Sequence, residues 1–265
     1  MTRITLASAT HTAAFQASPA VTPGRKMPLM DFVHGIAPRL GIVIPCRGDV
    51  ALLPACLNAM EEFLRAGDHI VVVDGDASPN VALMAQSKGT AYLCSPNAQR
   101  GAVIGYGMQE LLNRRAVDLL LICHADTLLC RGTRDTLLAR LGPGVRYRWG
   151  WLGHRIDDPR RRFRLVEYGN YLRGAWLNLP YGDQVMFAGV DLLAKAGGWP
   201  MQPQLEDLEL SLRLRCLTDA MFVNTPATIS ARHWTHGICR TTIRNWLRVA
   251  SYIRYRRSWP ERTCI

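Results

Sequence analysis

HIVVVDGD, at residues 69–76, is a short apolar run that ends in acidic residues, and a similar run lies on each side of it. LGIVIP (40–45) precedes it and ends at a proline, whereas LLLICHAD (119–126) follows it and ends in a histidine and an aspartate. Segments with helical spacing of apolar residues, 52–64 and 104–112, separate the runs. Buried strands that alternate with helices predict an α/β domain with a central, mostly parallel sheet flanked by helices.

The ends of these runs carry the polar side chains best placed for chemistry. In open α/β sheets, ligands bind beyond the carboxyl ends of the strands. Asp74 closes the second run, and His124 and Asp126 close the third. Because side chains alternate along a strand, His124 and Asp126 are expected on one side. An Asp oxygen suits Mg²⁺ or Mn²⁺, and a nearby histidine favours Mn²⁺.

Each candidate also has a purely structural interpretation. Asp74 precedes a glycine, and Asp-Gly pairs are common in turns. Asp126 can equally cap a loop. Glu206 and Asp207 open a helix predicted at 205–215, where acids gain about 0.3–1 kcal/mol each from the helix dipole. Their functional interpretation is a general base for an acceptor hydroxyl, and the pattern alone leaves both interpretations open.

Length and charge limit the classes of function. The chain has 265 residues, of which 48% are apolar, enough for one domain with a sizeable core. No run of about 18 uncharged apolar residues occurs, which argues against a transmembrane helix. The net charge of +11, from 32 Lys and Arg against 21 Asp and Glu, favours an anionic partner. Such a partner is a nucleic acid, a membrane surface or a phosphorylated substrate.

The chain is expected to divide into a flexible extension at 1–38, one domain at 39–256 and a short tail at 257–265. The extension is rich in Ala, Thr, Ser and Pro, a composition that transit peptides share. The eight cysteines are scattered without a C-x-x-C pair. They predict reduced core residues of a cytoplasmic protein rather than disulfides or a zinc site.

The second half of the chain is strongly basic. Residues 145–164 hold seven arginines and two tryptophans, which indicates either a solvated loop or a contact for an anionic acceptor. Helices are predicted at 164–177 and 241–255. The second of these is basic and amphipathic, so it either packs on its own domain or makes a peripheral contact with an anionic membrane.

Seven segments, taken together and in order, resemble glycosyltransferase family 2. They cover about residues 40–250, and their greatest similarity is to the branch of radical-SAM/selenodomain-associated transferases 2. The segments are GIVIPCRGDVALLPACL, HIVVVDGDAS, SPNAQRGAVIGYG, LLLICHADTLL, LPYGDQVMFAGVDLLAKAGGWP, QLEDLELSLRLR and ARHWTHGICRTTIRNW. His124 departs from the family by replacing the first acid of its D-x-D motif, and Val103 stands where relatives commonly have Asn.

The resemblance implies a GT-A-like nucleotide-diphospho-sugar transferase fold and inverting, metal-dependent transfer of a hexosyl group, with UDP the expected nucleotide. It assigns the catalytic base to Asp207, with Glu206 supporting acceptor binding. It assigns the nucleotide to Asp74 and Arg100, the metal and diphosphate to Asp126, and the sugar or acceptor to Asp183 and Gln184. The further candidates are Pro45 and Arg232 for the nucleotide, Tyr181 for the sugar or acceptor, and His124 and His233 beside Asp126 for Mn²⁺ or Mg²⁺.

Two other functions compete with this one. A sugar-1-phosphate nucleotidyltransferase needs a glycine-rich phosphate loop after the first strand, and PCRGDVALLP lacks those glycines. A basic nucleic-acid-binding protein fits the charge, but the sequence has no zinc-finger spacing, aromatic-basic RNA signature or evident helix-turn-helix. The expected partners are therefore a nucleotide-sugar donor and a small-molecule or glycan acceptor, with an anionic acceptor as one alternative, and not nucleic acid.

Overall fold

The computed structural model describes residues 38–48, 50–113, 117–234 and 237–257. The predicted extension at 1–38 and tail at 257–265 therefore lie almost wholly outside the described residues. Strands and helices alternate in the first half as the apolar runs predict. Its elements are β1 (Leu40–Cys46), α1 (Leu53–Phe63), β2 (His69–Asp74), α2 (Pro79–Ser87), β3 (Ala91–Cys94), α3 (Arg100–Asn113), β4 (Leu119–Ile122), β5 (Thr127–Leu129) and α4 (Thr133–Leu141).

The second half is less regular and contains short 3₁₀ turns at Val145–Tyr147, Gly182–Gln184 and Ala231–Trp234. Its helix α5 begins three residues earlier than predicted, and its last helix is longer at both ends than predicted. The elements are β6 (Trp149–Ile156), α5 (Arg161–Leu177), β7 (Met186–Gly189), α6 (Val190–Lys195), α7 (Glu206–Leu214), β8 (Met221–Ile229) and α8 (Ile238–Arg257).

The described strands form one mixed sheet in the order β3-β2-β1-β4-β7-β6-β8-β5. The three apolar runs supply β2, β1 and β4, which pair in parallel, and β3 joins them in parallel at the edge. On the other side β7 runs antiparallel to β4 and to β6. The sheet is thus parallel where βαβ units build it and mixed beyond β4.

Strand β6 is the main departure from the sequence-based expectation. The arginine-rich stretch indicates either a solvated loop or a contact for an anionic acceptor, but its middle forms a strand that pairs with both β7 and β8. Trp149 and Trp151 are almost fully buried within it. The arginines lie mainly at the two ends of the stretch and so conceal a buried strand between them.

The two faces of the sheet bury separate clusters because side chains alternate along each strand. Ile42 and Ile44 pack with α1 on one face, whereas Val43 packs with α3 on the other. Burying each such side chain contributes about 1.5–3 kcal/mol at most. Alternation between two apolar faces explains why β1 is apolar at nearly every position.

Helix α3 lies unusually close to the sheet through Gly107. A Cβ atom there would lie 2.6 Å from Val73 Cγ2 and 2.8 Å from Val43 Cγ1. The close approach fixes the helix axis over β1 and β2 and places its first residue, Arg100, near the carboxyl edge of the sheet. A larger residue at position 107 would push α3, and with it Arg100, away from the sheet.

Helix α7 lies between the sheet and α8, and its apolar side chains divide accordingly. Leu210 and Leu214 join the cluster under α3, whereas Leu208 and Leu212 pack against Val249 of α8. Within the described residues, no helix combines the length and the apolar character that crossing a bilayer requires.

The cysteines only partly follow the sequence-based expectation. The burial of six cysteines is described. Cys46, Cys56 and Cys123 are buried, as expected for core residues, but Cys94, Cys130 and Cys216 are exposed. The three exposed cysteines lie at or just beyond the ends of strands and helices, where the apolar runs that predict burial have ended.

Candidate active site

A cleft of about 790 Å³ opens at the carboxyl edge of β1 and β4. Its walls come from segments that are far apart in sequence, including the starts of α3 and α7 and one side of α8. Nine of the twelve residues singled out from the sequence line this cleft, namely Pro45, Arg100, His124, Asp126, Tyr181, Asp183, Glu206, Asp207 and Arg232.

Arg100 joins the two acids that begin α7. Its Nε lies 2.8 Å from Oε1 of Glu206, and its Nη2 lies 3.1 Å from Oδ2 of Asp207. The arginine comes from the first turn of α3, so this contact ties together two helices more than 100 residues apart in sequence. The guanidinium stays partly exposed to the cleft, where it can also meet an anionic ligand.

Asp207 is held by backbone groups as well as by Arg100. Its Oδ2 accepts a hydrogen bond from the Gly182 N–H at 2.9 Å, and its Oδ1 accepts one from the Leu208 N–H at 2.8 Å. Burial raises the pKa of this carboxyl, but Arg100 and the two N–H groups outweigh burial and hold the pKa below its ordinary value. Asp207 is therefore ionised at neutral pH.

Glu206 has the opposite character although it is the adjacent residue. Its side chain is 0% exposed, and neither carboxyl oxygen has a hydrogen-bond partner. The contact with Arg100 is thus an ion pair without hydrogen-bond geometry. Burial raises the pKa of Glu206 to about 7. Two carboxyls whose surroundings separate their pKa values are a common arrangement in acid–base catalysis.

His124 and Asp126 follow β4 and face the same cleft. Burial, with the charge of Arg100, lowers the pKa of His124 to about 4, so the ring is neutral at neutral pH. Its Nε2 lies 3.5 Å from Arg100 Nη2. Oδ2 of Asp126 accepts a hydrogen bond from Nε of Arg232 at 3.0 Å. A neutral imidazole and a carboxylate therefore stand near two arginines.

Candidate ligands for a divalent cation are few among the described residues. These residues contain no group of three or more His, Cys, Asp or Glu residues that could hold a metal ion. His124 and Asp126 still offer two donors, and Mg²⁺ commonly uses one or two protein ligands together with substrate phosphates. The donor set fits a cation that completes its shell with a diphosphate and water. The side chain of His233 lies outside the described part of the structure.

Gln184 was assigned to the substrate but does not line the cleft. It is buried, and its Oε1 accepts hydrogen bonds from the Tyr181 N–H at 3.0 Å and from Nη2 of Arg173 at 2.8 Å. The guanidinium of Arg173 also lies 3.5 Å from the centre of the Tyr181 ring. Gln184 therefore fixes Tyr181 from behind, and its assignment to the sugar or acceptor stays a prediction.

Asp74 was assigned to the nucleobase, but the structure places it outside the residues that line the cleft. It is fully buried. Its carboxylate accepts hydrogen bonds from the N–H groups of Asp76 at 2.9 Å and Ser78 at 2.6 Å, and from Tyr92 Oη at 3.3 Å. The turn interpretation of the Asp-Gly pair accounts for these contacts, and the assignment of Asp74 to the nucleotide stays a prediction.

Several features of the cleft were not identified from the sequence. Gly182 supplies an N–H to Asp207, and a Cβ there would lie 2.6 Å from Arg100 Nη2. Arg244 and Arg248 of α8 also line the cleft. Their four-residue spacing was visible in the sequence, but the packing of α8 beside α7 was not. Leu205, with a φ of 59°, holds a left-handed conformation directly before Glu206, a strain that is common at functional sites.

No family model and no curated protein sequence matches the chain. Solved structures match it by fold. The mannosyltransferase PcManGT from Pyrobaculum calidifontis, solved in complex with GDP-Man and Mn²⁺, superposes with a TM-score of 0.57 at 16% identity over 76% of this chain. TarS of S. aureus superposes with a TM-score of 0.52 at 13% identity over 73% of this chain.

The chain spans only part of these relatives, 59% of the mannosyltransferase structure and 35% of the TarS structure. At such low identities the similarity shows the fold. The chain has a GT-A-like nucleotide-sugar transferase fold with a curled mixed sheet flanked by helices, and the fold class predicted from the sequence is confirmed.

Proposed function

We propose that the chain is an inverting glycosyltransferase that moves a hexosyl group from a nucleoside-diphosphate sugar to an acceptor hydroxyl. The observation that carries the proposal is the joint position of Arg100, Asp207 and Asp126 in one cleft. Arginines there can bind a diphosphate, and an ionised carboxylate can receive a proton. The complex of the similarly folded mannosyltransferase with GDP-Man and Mn²⁺ supports the same class of donor and a metal for this chain.

In the proposed reaction Asp207 takes the proton of the acceptor hydroxyl. The acceptor oxygen forms a bond to the anomeric carbon, and the bond from that carbon to the diphosphate oxygen breaks on the opposite face. The electron pair leaves with the nucleoside diphosphate, whose growing negative charge is stabilised by Arg100 and Arg232. A divalent cation held by Asp126 and His124 would supply further charge neutralisation at the diphosphate.

UDP is the nucleotide we propose first, and the donor sugar belongs to the hexoses. Tyr181 and Asp183 lie on the loop beside Asp207, so they are proposed to contact the sugar or the acceptor. Oδ1 of Asp183 is buried without a hydrogen-bond partner. A buried oxygen of this kind is costly unless a ligand provides a donor, and a sugar hydroxyl is such a donor.

The first prediction concerns Asp207→Asn. The variant keeps the shape of the side chain but cannot act as the base, so release of UDP from UDP-sugars should slow by about 10²–10⁴-fold. Calorimetry with UDP should give an affinity close to that of the wild type. Asp191→Asn, a substitution away from the cleft, should leave both properties unchanged. Turnover of Asp207→Asn at the wild-type rate would exclude Asp207 as the base.

A further inference from the structure

Helix α8 exposes large apolar side chains on its outward face. Ile243 is 60% exposed, Trp246 51% and Leu247 64%. Their spacing of three and four residues places them together on one side of the helix. Exposed apolar groups that form a cluster mark a contact surface more often than isolated ones do.

The same outward face is strongly basic. Arg240, Arg244, Arg248 and Arg254 are all exposed, and the sequence of α8 contains neither Asp nor Glu. The first three arginines are four residues apart, so they form a row beside the apolar cluster. An open groove between α8 and Leu205 has Ile243 and Leu247 among its lining residues, with Arg240, Arg244 and Arg248 beside them.

The inward face of α8 is fixed to the rest of the protein. Nε of Arg256 donates a hydrogen bond to Oε2 of Glu209 at 2.8 Å, and Oη of Tyr252 donates to the same oxygen at 2.9 Å. Val249 packs against Leu208 and Leu212 of α7. The helix is therefore formed and oriented before any partner binds, and its apolar cluster cannot turn inward without breaking these contacts.

We propose that the outward face of α8 docks on a membrane surface rich in anionic phospholipid. Ile243, Trp246 and Leu247 enter the boundary between headgroups and acyl chains, and the arginines pair with the phosphates around them. An amphipathic helix with a basic polar side and Trp or Leu on the other binds membranes in this way. The long arginine side chains can keep their charges at headgroup level while their stems cover apolar surface.

The combination of side chains favours a lipid surface over other anionic partners. A nucleic acid would pair with the arginines but leave the aliphatic cluster in water. An apolar protein surface would cover the cluster but leave four arginines without opposite charge. A bilayer with anionic headgroups satisfies both sets of side chains. This surface adjoins the cleft, because Arg244 and Arg248 line both, but the inference does not depend on the proposed transfer reaction.

The test uses the full chain and sedimentation with lipid vesicles, without nucleotide or sugar. The protein should sediment with equimolar phosphatidylcholine and phosphatidylglycerol and remain in solution with phosphatidylcholine alone. Leu247→Asp should lower the partition coefficient about ten-fold or more, because it removes a buried aliphatic group and adds a negative charge. Arg254→Gln should lower it about five-fold at low salt.

Leu83→Asp provides the matched control, because Leu83 on α2 is 63% exposed and is not among the residues that line the groove beside α8. It should sediment like the wild type. Absence of wild-type binding to the anionic vesicles would overturn the proposal, and so would equal loss of binding in the two leucine variants. A dimer in analytical ultracentrifugation that Leu247→Asp dissociates would assign the face to a second copy instead. Because Arg254→Gln leaves the apolar groups in place, it tests the charge even if Leu247→Asp fails to fold.

Discussion

Two adjacent carboxyl groups meet the same guanidinium and still differ in charge. Asp207 receives two backbone N–H groups in addition to Arg100, so its ionised form is stabilised. Glu206 lacks two such well-aligned N–H donors, and its burial outweighs the attraction of Arg100. The difference arises from a shift of one residue along the first turn of α7, and it gives the cleft one ionised acid and one that titrates near neutrality.

The raised pKa of Glu206 leads to a prediction about stability and pH. Its pKa in the folded protein is about 7, above the ordinary value of 4.5, so the folded state binds the proton more tightly than the unfolded state does. The free energy of unfolding should therefore fall as pH rises through this interval. Glu206→Gln removes the titration, so its stability relative to the wild type should improve between about pH 5 and about pH 8.

Urea unfolding of both proteins at the two pH values measures this change. The lowered pKa of Asp207 stabilises the folded protein, and this stabilisation is lost only below the ordinary pKa of 3.8. The titration of Asp207 therefore does not interfere between the two pH values. Glu62→Gln, a substitution of an exposed glutamate on α1, is the control and should change the free energy of unfolding by no more than about 0.5 kcal/mol at either pH. A difference between Glu206→Gln and wild type that is the same at both pH values would contradict a raised pKa.

Gly182 allows a second test at the same site. A Cβ at this position would lie 2.6 Å from Arg100 Nη2 and 3.3 Å from Asp207 Oδ2. The guanidinium is the end of a flexible side chain, so Gly182→Ala should fold normally but displace Arg100 from Asp207. Turnover of a UDP-sugar should fall about 10- to 100-fold, because a misplacement near 1 Å can cost about that much.

Gly169→Ala is the matched substitution, because nothing lies within 4 Å of a Cβ at that position of α5. Removing a helical glycine there should stabilise the protein by about 0.5–1 kcal/mol and leave turnover unchanged. Full activity in Gly182→Ala, with the fold intact by circular dichroism, would show that the position of Arg100 is not critical.

The same residues show how far the sequence can identify a site. Asp74 and Asp126 both end apolar runs in the sequence, yet only Asp126 faces the cleft. The side chain of Asp74 instead turns back to two N–H groups of its own loop. Whether an Asp bonds its own turn or points outward depends on loop conformation a few residues ahead, and no periodicity in the sequence encodes that.

At the scale of elements, α7 is exceptional because it buries three acids within its first turn. Glu206, Asp207 and Glu209 all lie below the surface, although acids at a helix start are ordinarily exposed. Each faces at least one arginine, and Glu209 forms ion pairs with both Arg213 and Arg256. The helix was predicted from the spacing of its leucines. The burial of its polar side was not, because it results from distant segments that meet only in the folded chain. Arg100 of α3 contacts Glu206 and Asp207, and α8 covers Glu209.

The pair between Arg256 and Glu209 should be essential for the attachment of α8. Both side chains are almost fully buried, and removing one partner of a buried pair leaves an uncompensated charge. Because Arg213 and Tyr252 still contact Glu209, Arg256→Met should reduce the free energy of unfolding by about 3 kcal/mol, at the lower end for such pairs. Urea denaturation measures the loss.

Arg254→Met, an exposed substitution two residues earlier on the same helix, provides the comparison and should change stability by no more than about 0.5 kcal/mol. Equal stabilities of the two methionine variants would mean that the buried ion pair does not hold α8 in place. Greater loss in Arg254→Met than in Arg256→Met would contradict the orientation of the helix.

At the scale of the whole molecule, the parallel half of the sheet was accessible from the sequence and the mixed half was not. Each βαβ unit is local, so apolar runs and intervening helical spacing are sufficient to predict β1, β2 and β4. Strands β6 and β8 pair across more than 60 residues. Such pairing depends on long-range contacts, and the flanking arginines of β6 hide its apolar centre.

The cleft is formed only by the whole domain, because the residues proposed to bind the diphosphate come from distant segments. They lie on α3, at the end of β4 and in the turn after β8. A ligand that joins them should stabilise the whole domain. At a concentration about a hundred times its dissociation constant, a nucleotide with Mn²⁺ should add about 2.7 kcal/mol. For a domain of this size, that raises the melting temperature by about 5–10 °C. A thermal-shift panel of UDP, GDP, dTDP and CDP, with and without Mn²⁺, measures it and identifies the base.

Asp126→Asn should lose the part of the shift that depends on Mn²⁺, because the amide is a weaker ligand and carries no charge. Asp126→Asn also loses the ion pair with Arg232. Comparing each variant with its own ligand-free melting temperature separates the effect of that loss from the effect on Mn²⁺ binding. Asp191→Asn also removes the partner of an arginine, Arg146, but at a site outside the residues that line the cleft, and it should keep the full shift. An unchanged Mn²⁺-dependent shift in Asp126→Asn would contradict the proposed metal ligand. The absence of a shift with all four nucleotides would contradict the donor class of the proposed transferase.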